Sequence, residues 1–174
     1  MKAFSIVNKG LEKIAGKEVS EILSSDVDIG NGVVSFDVDA QKIVNYVFRA
    51  QCVRRVLIDF GSVKDLGDFK FKDFDFPLDL KYTIKVEGVK GQDNRQKIAK
   101  VVGAKFAEGK EIKFDYKNPD VVVIIYFNGE EYYVGLDVMG IELDQRHYRV
   151  FPHSASFKGD FSYYFARKAG FEKG

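Results

Sequence analysis

Two hydrophobic periods alternate along the chain, and each marks a kind of element. "AFSIV" at residues 3–7 suits a short strand, and in "GLEKIAGKEVSEIL" the residues Leu11, Ile14, Ala15, Val19 and Ile22 recur on one helical arc. "VDIG" and "VVSFDV" follow, parted by the turn residues "NG", which predicts a hairpin. A second helix is expected next, with Asp39 as its cap and Ile43, Val44, Val47 and Phe48 as its apolar stripe. "VRRVLIDF" then reads as a strand. The resulting order, β-α-β-β-α-β, is the ferredoxin-like pattern.

Regular periods lapse in "GSVKDLGDFKFKDFDFPLDL", residues 61–80, which predicts a linker or small bridging hairpin around Pro77. The alternating Phe of "FKFKDFDF" fits one face of a strand better than a base-stacking platform. "YTIKVEG" opens a second unit as a strand, and "GQDNRQKIAKVVGAKFAEG" continues it as a helix. In that helix Asp93 and Gln96 resemble a capping box, Ile98, Val101, Val102 and Phe106 form the expected buried face, and Lys97 and Lys100 fall opposite. The turn "NPD" at Asn118 to Asp120 launches "VVVIIYF", a continuous apolar run that predicts a strand covered on both faces. Asn128 and Gly129 then turn the chain into "EEYYVGLDV". "MGIELDQRHYRVFPHSASFKGD" reads as loop with a short strand near Tyr148, and "FKGDFSYYFARKAGF" as an amphipathic helix.

At 174 residues, the chain has room for one ordinary domain or two small ones. With 45% hydrophobic and 30% charged residues it is globular rather than disordered. Its longest apolar run, Val121 to Phe127, is too short to span a bilayer, and "MKAFSIVNKG" lacks the apolar stretch of a signal peptide. A cytoplasmic location without membrane contact is therefore expected. A single cysteine, Cys52, excludes an intramolecular disulfide and any cysteine-rich zinc site, and its setting in "IVNYVFRAQC" suits a packed thiol better than a nucleophile. Residues 61–118 carry 13 basic against 10 acidic side chains, and the net charge is +1, so only local clusters can argue for nucleic acid.

The chemistry-bearing residues are few. "GVKGQDNR" has neither the Lys-Ser/Thr ending of a P-loop nor Rossmann spacing. His147 and His153 lack a carboxylate or cysteine at metal-ligand spacing, and Ser154 and Ser156 lie in no elbow motif. The chain thus offers no catalytic residue and no metal site. What remains is cationic. Lys90, Arg95, Lys97 and Lys100 surround a helix amino terminus, where free N–H groups and the helix dipole favour phosphate. Arg146, His147, Tyr148, Arg149, His153 and Lys158 mix guanidinium forks with rings able to stack on unpaired bases. Solvated surface charge, with Tyr148 in a core, is the plainer account of the same residues.

"NPDVVVIIYFNGEEYYVGLDVMGIELDQRHYR" resembles the carboxy-terminal half of a THUMP domain, with its Asn-Pro-Asp turn, paired strands, Gly-Leu-Asp segment and closing Arg-x-Tyr-Arg. "NKGLEKIAGKEVSEI" and "YVFRAQCVRRVLIDF" are similar to the ferredoxin-like domain that precedes THUMP in RNA-modifying enzymes. "YRVFPHSASFKGDFSYYFARKAGF" resembles the linker and helix leading into a Rossmann-like, S-adenosylmethionine-dependent methyltransferase domain. That domain's Asp-Pro-Phe/Met-Cys-Gly-Ser-Gly and Asn/Asp-Pro-Pro-Tyr/Phe motifs do not occur in this chain.

The resemblance implies an α+β chain: a ferredoxin-like unit at 1–62, a linker at 63–80, a THUMP domain at 81–152, and at 153–174 a linker and helix leading toward a methyltransferase domain expected beyond Gly174. It also implies tRNA as partner, gripped at its acceptor stem and single-stranded 3′ end, so that a guanosine is presented for N2-methylation. Whether the protein is itself an enzyme is left open. S-adenosylmethionine would belong to the catalytic domain and no cofactor to this chain. Lys97, Lys100, Arg146 and Arg149 would contact phosphates, with His147 and Tyr148 near an unstacked base. Two rivals stand beside this: a free-standing THUMP adaptor, whose last helix docks Phe161, Tyr164, Phe165 and Ala169 on a separate enzyme, and a ferredoxin-like assembly protein with no RNA role.

Overall fold

The computed structural model describes residues 1–71, 80–108, 112–145 and 156–171, which form an α+β protein. Two compact units are present, Met1–Leu57 with Ile141–Gly174, and Ile58–Gly140.

The first unit contains β1 (Lys2–Ile6), α1 (Glu12–Leu23), β2 (Val27–Gly30), β3 (Val33–Asp37), α2 (Ala40–Arg49) and the first residues of β4 (Arg55–Val63). This is the expected β-α-β-β-α-β order, with strands arranged β2-β3-β1-β4. β3 pairs antiparallel with both β1 and β2, and the β2–β3 hairpin turns over Asn31 and Gly32. The Glu12 carboxylate accepts the Gly10 N–H at 2.8 Å and the Gly32 N–H at 3.0 Å, tying the start of α1 to that turn.

α2 buries a different stripe from the one expected. Ile43, Tyr46, Val47 and Ala50 face inward, whereas Val44 and Phe48 are 48% and 70% exposed. Positions 43, 46, 47 and 50 form one i, i+3, i+4, i+7 arc, and 44 and 48 lie one residue's rotation away from it. Asp39 is at the cap position but makes no side-chain cap bond; its carboxylate lies 3.6 Å from Lys42 Nζ. Glu18 is fully buried on α1 and accepts the backbone N–H groups of Gln51 and Cys52, each at 2.9 Å.

The returning segment completes this unit. A short 3₁₀ turn at Leu143–Gln145 is anchored by the Leu143 N–H donating to Arg54 O at 2.8 Å, and α4 (Gly159–Lys168) follows. Asn8 donates to the buried Asp160, and Arg167 pairs with Glu21 of α1. The short strand expected near Tyr148 lies outside the described residues.

Burial raises the pKa of three phenols. Tyr46 Oη lies 3.0 Å from Ser5 Oγ, and desolvation pushes Tyr46 far above the usual tyrosine range. Desolvation also raises Tyr163, followed by the nearby Glu18 charge, and desolvation raises Tyr82. These phenols stay neutral in the fold while the unfolded chain ionises from about pH 10, so their contribution is intact below that pH and lost as the pH climbs further. Thermal melts should give a steady midpoint up to roughly pH 9.5 and a falling one above it. A midpoint unchanged at about pH 11 would contradict this.

In the second unit the rest of β4 is followed by β5 (Lys81–Glu87), α3 (Gln92–Ala107), β6 (Lys113–Phe114), β7 (Val121–Phe127) and β8 (Tyr132–Asp137), ordered β4-β8-β7-β5-β6. β5 runs parallel to β7, from Tyr82 opposite Val121 to Glu87 opposite Tyr126, and α3 makes the crossover. Val122 to Tyr126 are all buried, as a strand covered on both faces requires. The hairpin to β8 differs from the expected two-residue turn. Phe127 pairs with Tyr132, and Asn128 Oδ1 accepts the N–H groups of Glu130 and Glu131 at 2.9 and 3.0 Å, which holds a four-residue loop.

Expectations for α3 need two further corrections. The helix begins at Gln92 behind Gly91, whose φ of +85° serves the entry, and no side chain caps it, so Asp93 and Gln96 form no capping box. Val101 is half exposed, and the helix instead packs through Val102, Gly103 and Phe106 because Gly103 lets it approach Ile84. Phe69 and Phe71 belong to no strand: they join Phe60, Tyr82 and Phe106 in an aromatic core, with Phe71–Phe106 centroids 5.0 Å apart. Lys105 Nζ fixes the loop before them by donating to the carbonyls of Leu66, Gly67 and Phe69 at 3.0, 2.5 and 3.2 Å. Pro77 and the remaining Phe of "FKFKDFDF" lie outside the described residues.

Candidate nucleic-acid interface

Gly88 and Gly91 set the approach to α3. Both have positive φ, +79° and +85°, and a Cβ on Gly88 would meet Phe127 O at 2.0 Å. The chain thereby leaves β5 hard against the end of β7 and presents Lys90 before the first helical turn. Asn94 Nδ2 donates to Lys90 O at 3.2 Å and steadies that turn. Lys90, Arg95, Lys97 and Lys100 are all exposed, and among the described residues none has a carboxylate within ion-pair distance. The first N–H groups of α3 have no side-chain cap. An anion at this end would meet free cations and free donors together.

Lys158 differs from these four. Its Nζ lies 2.6 Å from Oδ2 of the buried Asp144, and that hydrogen bond raises its pKa, so its charge is already balanced within the first unit. Arg146, His147, Tyr148, Arg149 and His153 lie outside the described residues.

The second unit also contains a cavity of about 400 Å³ that sequence reasoning missed. Thr83 and Lys85 of β5, Tyr116 and Lys117 of the β6–β7 loop, and Asp137 at the end of β8 contribute to its wall. These residues are dispersed over more than fifty positions, with no local spacing to mark them. The loop is held at both ends: the Asp115 N–H donates to Tyr82 O at 2.9 Å, and the Asp120 N–H to Lys81 O at 2.7 Å. The N–H groups of Asn118 and Lys117 hold the Asp115 carboxyl below the usual carboxylate range, which locks the intervening turn.

Residues 68–137 match the family model of the THUMP domain. No curated protein matches the chain. Among solved structures, a protein of Listeria monocytogenes described as a predicted N6-adenine-specific DNA methylase is 20% identical, with a TM-score of 0.70 over 98% of this chain and 48% of its own. SMU.472, solved with SAH, is 18% identical, with a TM-score of 0.69 over 98% of this chain and 49% of its own. A 4-thiouridine synthetase in complex with RNA and ATP is 11% identical, with a TM-score of 0.51 over 78% of this chain and 40% of its own. At these identities the likeness is one of fold, and the chain spans about half the length of the first two. No helix among the described residues is long and apolar enough to cross a membrane. The matched stretch takes in β5, α3, β7 and β8, so the unit that displays both the α3 cations and the cavity carries a THUMP domain.

Proposed function

We propose that this chain is the RNA-binding region of an S-adenosylmethionine-dependent tRNA methyltransferase, docking the acceptor 3′ end so that a guanosine is placed for N2-methylation. The THUMP match is the observation that carries this reading. The exposed cations around the start of α3 support it, as do fold neighbours described as a methylase and as a synthetase bound to RNA. SAH is what S-adenosylmethionine becomes after giving up its methyl group, so its presence on SMU.472 supports the cofactor. Catalysis and cofactor belong to a domain outside this sequence. The proposed division is 1–62 for the amino-terminal domain, 63–80 for a linker, 81–152 for THUMP and 153–174 for the connection onward, in a cytoplasmic protein.

In this mechanism Lys90, Arg95, Lys97 and Lys100 neutralise phosphates of the 3′ end, with Arg146 and Arg149 as further phosphate contacts and His147 and Tyr148 beside an unstacked base. Lys158 acts through its pair with Asp144, placing the segment rather than gripping RNA. Recognition rests on shape and on the length from the 3′ end to the target rather than on base sequence.

The test is binding of a tRNA minihelix by the whole chain. Affinity should fall with salt, and removing the 3′ overhang should weaken it several-fold. Lys97→Glu with Lys100→Glu should lower the salt slope by roughly 1.5 through two lost phosphate contacts. Binding indifferent to salt or to the overhang would refute the model, and N2-methylguanosine persisting in the tRNA of cells lacking the gene would refute the target. The adaptor reading rests on α4 and its C-cap, where Phe165 and Ala169 are exposed and Phe161 and Tyr164 half-buried, with exposed Phe157 and Phe171 beside them; this surface suits a separate enzyme as well as a following domain. Stoichiometric recovery of a distinct modifying enzyme with the native protein would establish it.

A further inference from the structure

Thr83 is 1% exposed, and its Oγ1 is buried without a hydrogen-bond partner. Buried hydroxyls are rarely left so, since an unmade hydrogen bond in the interior is costly. Thr83 lines the cavity described above. At the rim, Tyr116 is 77% exposed, although its loop is pinned at both ends to β5. An exposed ring on a loop whose backbone is already tied at both ends can stack with little further loss of backbone freedom. Lys85 and Lys117 are exposed beside it, and among the described residues neither has an ion-pair partner. Asp137, 8% exposed, adds acceptor oxygens to the wall while Oδ1 takes the Met139 N–H at 3.2 Å.

An aromatic platform, two cations and a buried polar wall in a cavity of small-ligand size match the parts of a nucleotide. We propose that this cavity holds one unpaired nucleotide of the docked RNA, with its base on Tyr116, its phosphate between Lys85 and Lys117, and its base edge bonded by Thr83 and Asp137. The carboxylate sets a preference, since it accepts from an exocyclic amine and repels a carbonyl. Adenosine or cytidine is favoured there over uridine. This rests on the RNA reading above but uses residues separate from the α3 cations, so the two can fail separately.

The experiment uses the whole chain and a minihelix whose 3′ overhang carries 2-aminopurine at one position at a time. Anisotropy gives affinity, probe quenching reports stacking, and thermal melts report folding. Tyr116→Leu should weaken binding about 5- to 160-fold, the range for losing one base–aromatic stack, and abolish quenching at a single overhang position. Thr83→Val keeps the shape and removes the hydroxyl, so it should weaken binding several-fold while leaving the melting midpoint of the free protein unchanged or higher. A purely structural hydroxyl would lower that midpoint instead, which would overturn the assignment. So would a Thr83→Val variant that binds like wild type while Tyr116→Leu does not, since that is stacking at the surface only. If both variants bind like wild type and Lys97→Glu does not, the cavity proposal falls and RNA docking stands. If wild type binds no RNA at low salt, both fall. Replacing the quenched nucleotide by uridine should weaken binding, and equal affinity would remove Asp137 from the scheme.

Discussion

Gly88→Ala is expected to destabilise the second unit by roughly 3 kcal/mol or more, combining the left-handed penalty of about 1–2 kcal/mol with a backbone collision. The collision dominates. The added Cβ would lie 2.0 Å from Phe127 O and 3.0 Å from its carbonyl carbon, and neither can swing aside as a side-chain tip would. Relief requires β5 and β7 to part at their Glu87–Tyr126 end, which displaces the entry to α3 and its cations. Gly91→Ala is the control. Its φ is similarly positive, with a ψ of 133°, but the nearest atom to a new Cβ is Asn94 Nδ2 at 3.5 Å, so only the conformational cost of about 1–3 kcal/mol is expected. Equal losses in urea denaturation for the two variants would dismiss the collision.

Glu18→Ala should cost the first unit about 3 kcal/mol, because it takes a charged acceptor from one buried and one part-buried N–H, at about 1–3 kcal/mol each. The carboxylate receives the N–H groups of Gln51 and Cys52, each at 2.9 Å, where the chain leaves α2 for β4. Glu18→Gln keeps one oxygen acceptor and should fall between wild type and alanine. Chemical denaturation midpoints in that order would support the bridge. A Glu18→Ala protein as stable as wild type would show that water or a backbone shift satisfies both groups.

Much of the backbone plan was legible because it is written in local periods. β2 and β3 around Asn31–Gly32 and the apolar β7 follow from strand patterns that no neighbour needs to correct. The α2 stripe was misjudged because Val44 and Phe48 look more apolar than Tyr46, while burial follows the arc that meets β3, where Phe36 lies edge-on to Tyr46 at 5.2 Å. Glu18 was invisible for the opposite reason: a glutamate in an amphipathic pattern is assigned to water, and only tertiary structure supplies the donors that let it go inside. β6 escaped because two residues carry no period.

The same division holds for the candidate site. The α3 cations are neighbours in sequence and could be found by reading along it. Thr83, Tyr116 and Asp137 become neighbours only when β5, the β6–β7 loop and β8 are brought together, and a threonine inside a strand gives no hint that its hydroxyl lacks a partner.

The chain leaves its first compact unit after Leu57 and rejoins it at Ile141, with Leu143 bonded to Arg54 at the crossing point. Topologically, Ile58–Gly140 is therefore an insertion held at two nearby ends rather than a bead following another on a string. Such a loop-out can be lengthened, trimmed or exchanged without breaking the host's own chain path. By contrast, a cut anywhere inside it severs the host from the 3₁₀ turn and α4 that complete it, so proteolysis within the inserted unit would be felt in both.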